Sequence, residues 1–222
     1  MTFGTGEISG EINQDTFSLG TIVIQRQKFG EILNELGDVF QQGNFSGILG
    51  LAYPKMAAYG IVPVFDNIIN QKLLKKNIMS FYYSVNENTE GEITLGYINP
   101  KRMIGKLTYY PVIDEFYWMI RIDDIRLGDK SLGLCPLGIG CKAVVDTGTS
   151  LITGPTKDLR VLLKAIKVEN NCQNYNLGKP LIFVINGDEY KLDVGDYILK
   201  KELFGIKSCR AMMMPLDVPK PQ

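Results

Sequence analysis

One stretch of this sequence has the residue types for acid–base chemistry at a defined point: Ala143-Val144-Val145-Asp146-Thr147-Gly148-Thr149-Ser150-Leu151-Ile152-Thr153-Gly154-Pro155. The apolar run before Asp146 reads as a strand that delivers the carboxylate to a tight turn. Gly148 lets a backbone N–H approach it, and Thr147 and Thr149 add hydroxyls that can bond it or a neighbouring segment. Donors so placed favour a charged carboxylate. A lone carboxylate of this kind is a poor hydrolytic device. Two that face each other cannot both ionise and share one proton. One can then activate a water while the other protonates the developing oxyanion. The alternative role for Asp146 is structural, because Asp and Thr at strand-to-helix turns commonly cap the following helix, here near Pro155.

Composition narrows the chemistry further. The 222 residues include 24 basic, 24 acidic and no histidine, and 45% are hydrophobic. That describes a globular protein of one large domain or two small ones. Without histidine the usual general base, the Ser/Cys–His mechanisms and most catalytic zinc sites are removed, so carboxylates must do any acid–base work. No metal or cofactor is expected. Zero net charge without a basic cluster gives no footprint for nucleic acid or an anionic membrane, and Lys28, Lys75 and Lys76 read as solvated surface charge. No apolar run is long enough to span a bilayer.

Cys135, Cys141, Cys172 and Cys209 contain no C-x-x-C pair. Their even number points to two disulfides and an oxidising compartment, with three connectivities possible and buried free thiols as the alternative. The un-nested choice, Cys135–Cys141 with Cys172–Cys209, is the expected one. The opening Met1-Thr2-Phe3-Gly4-Thr5-Gly6 has neither a basic n-region nor an apolar core, so a disulfide-bearing chain without an export signal is expected to be part of a longer product.

The elements that must position Asp146 are mostly short strands. Alternating apolar runs predict them at residues 6–10, 16–24, 79–85, 91–95, 106–111, 117–122, 142–145, 181–185 and 190–192, with Asn186-Gly187 as a two-residue hairpin turn. Helices are predicted over 63–74, starting at Pro63, and over 153–166, with Pro155 near N1 and Leu159, Leu162, Leu163 and Ile166 on one face. A domain boundary is expected near Asn99-Pro100. Ser46-Gly47-Ile48-Leu49-Gly50 weakly echoes Ala143–Gly148, since both run apolar residues into a glycine turn.

Three further motifs stand in order along the chain: Phe3-Gly4-Thr5-Gly6, then Phe45-Ser46-Gly47-Ile48-Leu49-Gly50-Leu51-Ala52-Tyr53-Pro54 with Pro63-Val64-Phe65-Asp66-Asn67, then Tyr117-Trp118 ahead of Val144–Pro155. In this order they resemble the pepsin and cathepsin D family of eukaryotic aspartic proteases from end to end. The resemblance implies a mainly β, bilobal acid-protease fold with a few short helices, incomplete at both ends: residues 1–99 as the rest of the N-terminal lobe and 100–222 as the C-terminal lobe. It implies an aspartic endopeptidase active at acidic pH on polypeptides, monomeric when complete, with no cofactor, no nucleic-acid partner and no membrane partner. A lysosome, a digestive vacuole or secretion would suit it.

Carried over residue by residue, Asp146 is the second catalytic aspartate. Thr147 locks the two active-site loops together, and Gly148 and Thr149 contact the substrate backbone and orient the carboxylate. Phe3, Gly4, Thr5 and Gly6 form the tip of the flap, where Phe3 replaces the usual tyrosine and loses its hydroxyl. Val39, Phe40, Phe45 and Tyr117 line a pocket for bulky apolar side chains, or pack as core. The two disulfides fit the second lobe. The first Asp-Thr-Gly loop and the last apolar-apolar-Gly strand are expected outside this sequence, leaving unpaired sheet edges and an exposed apolar face. Alone, the chain is expected to be inactive; a peptide-binding remnant of the family is the alternative. A homodimeric single-Asp protease is disfavoured, because its order would be Asp-Thr-Gly, flap, then apolar-apolar-Gly. Asn44-Phe45-Ser46 is a formal glycosylation sequon, expected to be unmodified.

Overall fold

The computed structural model describes residues 2–3, 6–36, 45–86 and 88–217, with side chains described over 8–35, 45–86 and 88–217. It is mainly strand with a few short helices, as the alternating runs predict. The chain divides into two compact units, Met1–Thr108 and Tyr109–Gln222.

The first unit is built on a long antiparallel hairpin. Strand β1 (Thr2–Phe3) pairs with β2 (Gly6–Leu19), which pairs in turn with β3 (Ile22–Leu36). The single strand predicted at 16–24 is in fact two. The chain reverses at Gly20-Thr21, where Gly20 takes a left-handed φ of 59° and Leu19 faces Ile22. Helix α1 (Val64–Asn70) starts after Pro63 but ends four residues before the predicted limit, because Lys72 turns to φ 55°. It packs Val64 and Ile68 on Ile24 in a small core flanked by Leu51, Leu74 and Leu95.

Side-chain amides fasten that helix to β3. Gln71 accepts from the Gln25 N–H (3.1 Å) and donates to the Gln25 carbonyl (2.8 Å), imitating one more ladder strand. The buried Gln27 donates to the Val62 carbonyl (3.1 Å) and accepts from Asn67 (3.0 Å), so its amide is satisfied. A hairpin of β4 (Met79–Tyr82) and β5 (Glu92–Leu95) completes the unit's strands.

In the second unit, β6 (Asp114–Glu115), β7 (Trp118–Ile122) and β10 (Cys141–Val144) form one antiparallel sheet in the order β10-β7-β6. A second sheet runs β13-β12-β8-β9, from β8 (Asp124–Leu127), β9 (Lys130–Ser131), β12 (Leu181–Ile185) and β13 (Asp188–Leu192). Asn186 and Gly187 form the β12–β13 turn with φ of 50° and 85°, the left-handed pair that an Asn-Gly hairpin favours. Strand β11 (Ile152–Gly154) precedes helix α2 (Thr156–Ile166) and pairs in parallel with β16 (Met213–Pro215). Helix α3 (Val194–Tyr197) leads into the hairpin of β14 (Ile198–Leu203) and β15 (Ile206–Ala211).

The core of this unit gathers Leu159 and Leu162 of α2, Leu181, Tyr197, Ile198 and Cys209. Tyr197 is fully buried and its hydroxyl donates to the Lys179 carbonyl (2.5 Å), while burial pushes its phenol above the ordinary value. Both expected disulfides are formed, Cys135–Cys141 and Cys172–Cys209, the second anchoring a core residue. Leu163, predicted on the buried face of α2, is exposed, because the helix presents only Leu159 and Leu162 fully to the core. No strand forms at 106–111. There Tyr110 is tied by its hydroxyl, which donates to Asp188 (2.7 Å) and meets the Tyr190 hydroxyl (2.5 Å).

Candidate active site

Asp146 stands at the head of a strand–loop–strand–helix unit. The apolar residues of β10 pair antiparallel with β7, Ala143 facing Ile120 and Val144 facing Met119. The ladder continues one residue further, with the Val145 N–H donating to the Trp118 carbonyl (3.0 Å). Pairing stops there and the chain turns. On the far side of the turn Ile152 donates to the Met212 carbonyl (3.0 Å) and β11 runs beside β16 into α2. The loop is therefore held at both ends by regular pairing, and its free length is confined to residues 146–151.

Within the loop the carboxylate is bonded on both oxygens. Oδ1 accepts the Gly148 N–H (2.8 Å), and Oδ2 accepts the Thr149 hydroxyl. Gly148 is matched to this arrangement, since a Cβ there would stand 3.2 Å from Oδ1, tighter than ordinary contact. Thr147 also has an interaction partner. Asp146 is exposed, as are Val144 and Val145 beside it, so the carboxylate opens outward from an apolar rim.

The helix-capping role open to Asp146 belongs to another residue. The first turn of α2 is served by Asp217, whose Oδ1 accepts the Thr156 N–H (2.8 Å) and whose Oδ2 accepts the Thr156 hydroxyl (2.6 Å). The Thr156 hydroxyl and amide hold the Asp217 carboxyl below its ordinary range. Leu216 adds an N–H to the Gly154 carbonyl (2.9 Å). Asp217 lies 61 residues from Thr156, so no local reading of 143–166 could have found it.

The other expected site residues fall as follows. Tyr117 immediately precedes β7, one residue from the carbonyl that fixes Val145, and its ring meets that of Phe116 edge-on at 4.8 Å. Phe3 and Gly6 face each other across the β1–β2 pair in the first unit; Gly4 and Thr5 between them lie outside the described residues, as do Val39, Phe40 and Asn44. Phe45 is also in the first unit and exposed. Among the described residues, no group of three or more Cys, Asp or Glu side chains is placed to hold a metal ion, and no helix is long and apolar enough to cross a membrane.

Comparison with known proteins gives the family. A family model described as eukaryotic aspartyl protease matches residues 1–221. Cathepsin D of Chionodraco hamatus is 40% identical over 231 residues, covering 100% of this chain and 58% of that protein. Cathepsin E of Oryctolagus cuniculus is 38% identical, covering 100% of this chain and 57% of its own length, and cathepsin D of Canis lupus familiaris is 37% identical with 99% and 57% covered. The chain thus spans somewhat under three-fifths of the relatives it matches. A match over 221 residues, with the Asp-Thr-Gly loop set on paired strands, places the chain in the eukaryotic aspartyl protease family.

Proposed function

We propose that this chain carries the second catalytic aspartate, Asp146, of an aspartic endopeptidase that cleaves polypeptides at acidic pH. The observation that supports this best is the division of labour between two carboxylates. Asp217 caps α2, while Asp146 takes its bonds from its own loop and remains exposed. Gly148 and Thr149 fix the plane of the carboxylate. With a second aspartate opposite, the pair holds one proton between them. The ionised member takes a proton from water as the water oxygen attacks the peptide carbonyl carbon, and the protonated member gives its proton to the carbonyl oxygen.

In this reading Thr147 joins the two active-site loops, and Phe3, Gly4, Thr5 and Gly6 close over the bound peptide. Val39, Phe40, Phe45 and Tyr117 favour bulky apolar side chains beside the scissile bond. Residues 1–99 belong to the N-terminal lobe and 100–222 to the C-terminal lobe of a monomer that needs no cofactor. The two disulfides and an acid-tuned pair suit a lysosome, a digestive vacuole or secretion.

The test compares the 222-residue chain with the native gene product, using a peptide substrate at acidic pH. The native product is expected to turn over, with Asp146→Asn lowering kcat by about 10²–10⁴-fold while leaving circular dichroism unchanged. The 222-residue chain alone is expected to be inactive. Turnover by that chain, abolished by Asp146→Asn, would overturn the half-site reading; full activity of Asp146→Asn in the native product would remove Asp146 from the chemistry.

A further inference from the structure

The β14–β15 hairpin ends in a turn that its residues disfavour. Leu203 and Ile206 are its last facing pair, and Phe204 and Gly205 form the turn with φ of 50° and 77°. Two left-handed residues in succession normally call for Asn-Gly or Asp-Gly, which is what the β12–β13 hairpin has at Asn186-Gly187. A bulky aromatic at positive φ is an uncommon and strained choice. Contacts within the described residues do not compensate for it, since Phe204 is 95% exposed, with Leu203 at 68% and Ile206 at 74% beside it.

The charges behind the tip are sorted by face. Facing residues in a hairpin share a side, so Leu203, Ile206, Lys201, Ser208, Leu199 and Arg210 lie on one face. The other face buries Ile198 and Cys209 in the core, sets Lys200 over the Tyr175 ring (4.9 Å) and places Glu202 opposite Lys207 in the register. The outward face therefore carries two cations and no carboxylate. Its Leu199, Lys201, Ser208 and Arg210 line a shallow concavity.

We infer that this hairpin tip docks on an anionic lipid surface, with Leu203, Phe204 and Ile206 in the acyl boundary and Lys201 and Arg210 among the headgroups. Two cations behind an exposed apolar tip complement the negative potential of an anionic headgroup layer. The spacing fits as well. Lys201 stands two residues behind Leu203, about 7 Å along the strand, and an interfacial element buries roughly 5–10 Å into the headgroup and acyl boundary. A net charge of zero conceals this arrangement, because charge sorting by strand face is invisible to a sum over the chain.

Vesicle co-sedimentation of the full chain tests it, with phosphatidylcholine vesicles alone or with roughly three parts in ten phosphatidylserine. The chain should bind the anionic vesicles, less so as salt rises, and leave the neutral ones. Phe204→Asn is the informative variant: it suits the left-handed turn, so Tm should hold or rise, yet binding should fall by roughly tenfold or more. Lys201→Glu with Arg210→Glu should also abolish the preference for anionic vesicles. Equal binding to both vesicle types, binding unchanged in Phe204→Asn, or no binding to either vesicle would overturn the proposal. So would a chain that self-associates through the tip, becoming monomeric in Phe204→Asn without binding vesicles.

Discussion

Ala143–Gly148 and Ser46–Gly50 are written in similar residues but are held very differently. Both run aliphatic residues into glycine. The first is paired along β7, resumes beside β16 and enters a helix capped from 61 residues away. In the second, Phe45–Gly50 form no strand, and they are exposed as Val144–Gly148 are, so pairing and not burial separates the two. Local pattern proposes a strand running into a turn. Partners distant in sequence decide whether it is built.

Breaking those partners should separate the two regions by energy. The largest effect is expected from Leu181→Ala, which empties the centre of the second unit's core and should cost about 2–5 kcal/mol in urea unfolding. Next comes the long disulfide. Replacing Cys172 and Cys209 with alanine should cost about 2–4 kcal/mol, and exceed the cost of losing Cys135–Cys141, because the separations closed are 37 and 6 residues. Equal losses from the two bridges would show that loop closure is not what the longer one supplies.

Asp217→Asn should lower Tm by a few degrees at neutral pH, because the amide keeps only one of the two acceptor oxygens and loses the charge. Here the sign of the pH dependence is set by a depressed folded value. Stability from Asp217 is fully present above the unfolded carboxylate value, about 3.9, and is lost as pH falls through the folded value. The gap between wild type and Asp217→Asn should therefore persist at mildly acidic pH and close only in strong acid. A gap that closed by pH 6 would assign the effect to another group. The smallest effect belongs to the other region: Ile48→Ala in this chain should stay within about 0.5 kcal/mol of wild type.

What the sequence made legible follows the range of the interactions involved. The Asp146 loop, the Asn186-Gly187 turn, the start of α1 and the body of α2 are specified by neighbours within a few residues, and each is found. The two disulfides are the pairs expected, although the spacing left three connectivities open and the un-nested one was a preference that the family resemblance supported. The Gly20-Thr21 reversal was missed because Thr16–Ile24 is apolar enough to read as continuous, although its glycine carries the turn. Strands β14, β15 and β16 escaped notice because lysines and methionines blur their alternation, and β16 exists only through its parallel partner β11. The cap from Asp217 has no local signature at all.

That cap has a consequence for the order of events during synthesis. Thr156 leaves the ribosome well before Asp217, and at about 5–20 residues per second the 61 residues between them take roughly 3–12 s to make. Through that interval α2 lacks its cap and β11 lacks its partner, so the nascent chain carries the Asp146 loop fastened on the β7 side alone. The Asp146 loop gains its second fastening only when β16 arrives, so it matures well after the β10–β7 pair that holds its other end.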